Sequence, residues 1–226
     1  MALKNPIERV IFLDIDGPII PPKNLVMRSM LKDIEQAGGK LHGLTADFIG
    51  ATDKILHLHD PIAVVLITHL ALETNSKIVI SSTWRGYGYD QFVEDFEGFG
   101  FDRSLLHEDW RTKPGNTMPR KQEVEEWLSR HPEVKKFVTI DDELLDFDEH
   151  VQVCAHNGFI YDNYNQAYEL LTGEEPLLCC NLYTVGFVDF VGPENFAKDD
   201  PEIANGIKRL NDRKEAIRAR YSKFDL

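Results

Sequence analysis

Val10-Ile-Phe-Leu-Asp-Ile-Asp-Gly17 is the stretch on which the fold turns. Four apolar residues run without a break and stop at two carboxylates spaced i, i+2. So short a continuous apolar run reads as a strand buried on both faces, as in a parallel sheet covered by helices. Carboxylates at the mouth of such a strand are costly unless a cation or hydrogen bonds satisfy them. Gly17 allows the chain to turn sharply away from the strand.

The same grammar recurs downstream. Lys77-Ile-Val-Ile80 is a second buried strand and ends in Ser81-Ser82-Thr83. Phe137-Val-Thr-Ile140 is a third and ends in Asp141-Asp142. Val151 to Val153 reads as a fourth. Helices fall between them. Asn24 heads one carrying Met27, Met30, Leu31 and Ile34, and Asp60-Pro61 opens another as N-cap and N1. A weak helix surrounds Phe92 and Phe96, Thr117 and Pro119 start one with Val124 and Trp127, and Asn163 to Leu171 ends at Gly173. Residues 103–118 read as a loop.

Strands alternating with helices predict an α/β fold: a Rossmann-like three-layer α/β/α sandwich with a parallel central sheet. Right-handed crossovers bring the strands' C-terminal ends to one edge, where such sheets bind ligands. Asp14 and Asp16, Ser81 and Ser82, and Asp141 and Asp142 therefore converge. Two carboxylates there suit a divided task, one as nucleophile and its neighbour as acid and base. An all-oxygen donor set points to Mg²⁺ rather than zinc.

The 226 residues hold 42% hydrophobic and 28% charged residues, a globular profile. The predicted organisation is a core over residues 1–173, with about 21–59 a small cap or insertion, and a helical extension over 174–226 packed on the core. Lys and Arg number 25 against 38 Asp and Glu, a net charge of −13. That excludes a protein built to grip a long phosphate backbone, but not a small phosphorylated substrate held through a cation. Only the tail from residue 201 is basic, with seven Lys and Arg against four Asp and Glu. It reads as an amphipathic helix docked on an acidic body. Three cysteines (Cys154, Cys179, Cys180) without metal spacing fit a reducing compartment. With no signal-like or membrane-length apolar run, the expected location is the cytoplasm, away from membranes.

In these motifs the chain resembles the haloacid-dehalogenase superfamily of phosphohydrolases. Its pattern appears in order as FLDIDG, IVISST, MPRKQEVEEWL and FVTIDDE. The IVISSTWR segment and the EVEEWLSRHPEVKKFVTIDD block are similar to phosphatase domains associated with phage and bacterial nucleic-acid repair and with polynucleotide kinase-phosphatases. The resemblance implies Asp14 as nucleophile, through an aspartyl phosphate, and Asp16 as acid and base with its carbonyl on the metal. It implies Ser82, or Ser81, on the phosphoryl group, and Lys121 as the motif cation, preferred over Arg120. Asp141 and Asp142 complete the metal set, while Arg85 stands between substrate contact and surface. Pro18 departs from the Thr or Val that often follows DxDG. The expected function is Mg²⁺-dependent hydrolysis of a phosphate monoester. The expected substrate is a nucleotide or other small phosphate, which the charge favours; the alternative is a polynucleotide end, which the resemblance favours. A degenerate fold kept as a scaffold is the rival outside enzymology.

Overall fold

Apolar runs that satisfy their backbone only by pairing build the sheet. β1 (Arg9–Leu13), β2 (Lys77–Ile80), β3 (Leu106–Arg111), β4 (Lys136–Asp141) and β5 (His150–Gln152) pair in the order β3-β2-β1-β4-β5. Every pairing is parallel. The computed structural model describes residues 8–39, 59–113 and 118–174, together with Lys208. Two compact units divide the chain, Met1–Glu174 and Glu175–Leu226. Cys179, Cys180, residues 40–58 of the predicted insertion and the basic tail apart from Lys208 lie outside the described residues.

β1 occupies the middle of the sheet, and Val10 to Leu13 are wholly buried. The chain leaves β1 for β2 and β3 on one side and returns to β4 on the other, so the strand order reverses between β1 and β4. Among the described residues, five helices accompany the strands: α1 (Pro22–Gln36), α2 (Pro61–Thr74), α3 (Tyr89–Gly98), α4 (Arg120–Arg130) and α5 (Tyr161–Thr172). Val124 and Trp127 of α4 pack on Val10, Phe12 and Val79, with the Trp127 ring edge-on to Phe12 at 5.3 Å. Right-handed crossovers put α2 and α3 on the opposite face, since α4 alone runs back across the sheet. α2 starts as its sequence predicts, with Asp60 accepting from Ile62 N–H at 2.9 Å and Pro61 at N1.

Two local readings change. Residues 106–111, expected in a loop, form the edge strand β3. Leu-His-Glu-Asp-Trp-Arg lacks an apolar run because an edge strand pairs on one side and tolerates charge. Its register with β2 also slips, Ile78 facing Leu106 and Ile80 facing Arg111. The predicted helix α1 forms, yet Met27 and Met30 of its expected apolar stripe stand about half exposed. Among the described residues, no helix is long and apolar enough to cross a membrane.

Candidate active site

The backbone ladder continues one residue past the strands. Asp14 N–H donates to Ile140 O at 2.9 Å, Ser81 N–H to Leu13 O at 3.0 Å, and Thr112 N–H to Ile80 O at 3.0 Å. Asp14, Ser81 and Thr112 therefore stand in one row with Asp141, the last residue of β4. Beyond Asp14 the chain makes a tight turn. The Ile15 carbonyl accepts from both Ile19 and Ile20 N–H at 3.0 Å, and Gly17 N–H donates to Ile20 O at 3.2 Å. Pro18 fits here because its missing N–H is not called upon. Its carbonyl accepts from Phe159 at 3.0 Å and thereby ties the turn to the segment after β5.

Gly17 is required twice. Its φ is +90°, and a Cβ there would meet Cγ and Oδ1 of Asp142 at 2.8 Å. Gly17→Ala is expected to cost about 1–3 kcal/mol through backbone strain and to push the Asp142 carboxylate aside. Thermal melts with and without Mg²⁺ check it: a lower midpoint and a reduced cation-induced rise are the expected results.

Carboxylate oxygens of Asp14, Asp141 and Asp142 lie within 4.8 Å of one another. Burial, then the neighbouring Asp141 charge, pushes the Asp14 carboxyl up to about 7, against the pull of Arg120 and a hydrogen bond from Ser82. Burial lifts Asp141 to about 6, opposed mainly by Arg120, and burial raises Asp142 as well. Oδ2 of Asp141 is buried without a hydrogen-bond partner. Crowded acidic oxygens, one of them unsatisfied, fit a hard divalent cation. Asp16, by contrast, is exposed on the turn, and its Oδ2 accepts from Trp84 Nε1–H at 3.1 Å.

The cation placed beside Asp14 and Asp141 is Arg120, while the expected Lys121 lies elsewhere. Arg120 Nη1 lies 3.7 Å from Asp14 Oδ1, and its Nε lies 3.7 Å from Asp141 Oδ2. That Nη1 is buried with no hydrogen-bond partner. Lys121 turns to Asp146, with Nζ 2.5 Å from the carbonyl and 3.2 Å from the carboxylate, over the Phe147 ring. Neighbouring helical residues project about 100° apart, so only one of the pair can face the strand ends. α4 begins at Arg120, and that start selects it.

Ser82 is fully buried, and its hydroxyl bonds Asp14; Ser81 beside it extends the ladder. Arg85, expected either on the surface or at the substrate, is buried and donates within the protein. Its Nε, Nη1 and Nη2 donate to Lys113 O (3.2 Å), Ser82 O (2.6 Å) and Glu123 Oε1 (2.5 Å). The pair is buried, and Glu123 sits three residues after Arg120 on the same face of α4. This bridge locks the β2 and β3 exits to α4, a task hidden in the sequence because Glu123 reads as an ordinary solvated helix residue.

A second cluster, His107, His131 and Glu133, lies at the other end of β3 and α4. His107 Nδ1 accepts from Asp109 N–H at 3.0 Å, which leaves the proton on Nε2 and no free lone pair for a metal. Both rings pack on Trp127, His131 stacked at 3.7 Å and His107 edge-on at 4.9 Å.

A family model for the HAD domain in Swiss Army Knife RNA repair proteins matches residues 10–161. The chain belongs to this family. No curated protein and no solved structure gives a significant match. The matched span opens on β1 and closes at the start of α5, so it contains the whole row of strand ends. A five-stranded parallel sheet with Asp14 at its centre is thus the fold of a HAD-type phosphohydrolase.

Proposed function

We propose that the chain is a Mg²⁺-dependent phosphatase that removes a phosphate monoester from a nucleic-acid end, through an aspartyl phosphate on Asp14. The observation that carries this reading is the pair of unsatisfied buried atoms beside the nucleophile, Arg120 Nη1 and Asp141 Oδ2. One is a cationic donor that pairs with Asp14 at 3.7 Å but makes no hydrogen bond, suited to a phosphoryl oxygen. The other is an anionic oxygen that faces Arg120 Nε at 3.7 Å but accepts no hydrogen bond, suited to a cation. The choice of a nucleic-acid end follows the family, a HAD domain found in Swiss Army Knife RNA repair proteins.

Asp14 and Asp141, with Asp142 and the Asp16 carbonyl, would hold the Mg²⁺. When bound it would neutralise phosphoryl charge and favour the ionised Asp14 carboxylate. An Asp14 oxygen attacks phosphorus in line with the leaving oxygen. As that P–O bond breaks, Asp16 delivers its proton to the leaving oxygen, and phosphate rests on Asp14. Asp16, now a carboxylate, takes a proton from water, whose oxygen attacks phosphorus and frees orthophosphate and Asp14. Ser82 and Arg120 donate to the phosphoryl oxygens throughout, so catalysis is chiefly positioning and electrostatics.

A small phosphate is the second reading, favoured by the net charge of −13. Hydrolysis of 3′- and 5′-phosphorylated RNA oligonucleotides, compared with mononucleotides across a salt series, separates the two. The strand-end reading expects oligonucleotides to be preferred and their KM to climb steeply with salt. Equal hydrolysis of mononucleotides with a flat salt response overturns it in favour of the small phosphate.

A further inference from the structure

We propose that Trp84 is a positioning residue for the acid step: its indole N–H holds Asp16 so that one carboxylate oxygen alone faces the leaving group. The inference rests on the phosphatase reading above and adds a residue to it. Asp16 is exposed, on a turn whose backbone is fixed by hydrogen bonds. An unrestrained carboxylate samples several rotamers, and a proton donor must be aligned to act. Trp84 supplies the restraint through the 3.1 Å bond from Nε1 to Asp16 Oδ2. An indole nitrogen is a donor only, so Oδ2 is kept as an acceptor and the transferable proton resides on Oδ1.

The mount is itself rigid. Trp84 lies in a 3-10 turn, Thr83–Gly86, capped by Ser82, whose Oγ accepts from Trp84 N–H at 3.4 Å. Its ring packs against Phe99 at 5.6 Å and edge-on to Tyr87 at 5.7 Å. Arg111 Nη1 clamps the turn from β3 by donating to the carbonyls of Arg85 (2.5 Å) and Tyr87 (2.9 Å). One loop therefore serves both carboxylates of the pair. Ser82 bonds Asp14 and Trp84 bonds Asp16, with i, i+2 spacing on each side.

General-acid help matters in proportion to how poor the leaving group is. Trp84→Phe keeps a ring and removes the N–H. Across phosphate esters of falling leaving-group acidity, from p-nitrophenyl phosphate to an alkyl phosphate, kcat/KM of the variant is expected to diverge from wild type. The expected loss is under about 3-fold for the nitrophenyl ester and about 10–100-fold for the alkyl ester, up to the lower end of a full general-acid contribution because the acid itself is retained. A purely structural role would lower both alike, and that result, or no loss at all, overturns the proposal. Independently of turnover, the Trp84 indole N–H resonance in a ¹H–¹⁵N spectrum, identified by its absence in Trp84→Phe, is expected to move in Asp16→Ala. An unmoved resonance also overturns it. Wild-type protein inert toward every ester overturns the phosphatase reading, and this role with it, even where the resonance moves.

Discussion

Asp14→Asn is expected to abolish phosphate-ester turnover and, in metal-free protein at pH 8, to raise the melting temperature. The first effect follows from the loss of the nucleophile in an isostere of the same shape. The second follows from burial. A carboxyl whose ordinary value of 3.8 is pushed up to about 7 must ionise unfavourably in the folded protein at pH 8. Because the folded value is the raised one, this penalty is absent below about pH 4 and complete above about pH 7. The gain from Asn is therefore largest at pH 8 and shrinks on acidification toward pH 4. Arg120, which loses a partner, takes back part of it, and about 2 kcal/mol is expected, a rise of several degrees. Mg²⁺ should stabilise wild type more than the variant, and more at pH 8 than at pH 5.5, where protons compete for Asp14 and Asp141. Thermal melts over pH and Mg²⁺ concentration check all of this. A variant less stable than wild type at pH 8 without metal would show that the acidic cluster is not under strain.

Arg120→Ala should lower kcat/KM by about 10²–10³-fold, the usual effect of removing a donor to developing oxyanion charge. Lys121→Ala should change it by less than about 3-fold, as an exposed pair with Asp146 contributes little. The Arg120 variant has a further mark. Arg120 is the principal influence holding Asp141 down and the leading cation acting on Asp14. Without it both carboxyls rise further, so the acid limb of the pH–rate profile moves to higher pH. The reverse ranking of the two variants would return the cationic role to Lys121.

Much of the site is local, and local features can be read from the chain. Val10–Leu13 and Phe137–Ile140 are apolar without interruption because both faces of each strand are covered, and the residues after them fall at the sheet edge whatever the helices do. That Asp14 and Asp16, Ser81 and Ser82, and Asp141 and Asp142 stand at one sheet edge follows from that alone. β3 was not legible in this way. Its edge position relaxes the demand for apolar residues, so a real strand resembles a loop.

The linear chain determined where the strands end and which acids stand there, because burial on two faces imposes a pattern on consecutive residues. Tertiary structure alone decided which cation faces them. Arg120 and Lys121 are adjacent and chemically similar, and only the start and rotation of α4 against the sheet separate them. It decided too that Arg85 pairs with Glu123, 38 positions away, and that Trp84 reaches Asp16, 68 positions away. Those partners are distant in sequence, and nothing in a residue's neighbours along the chain records which side chain will meet it across a sheet edge.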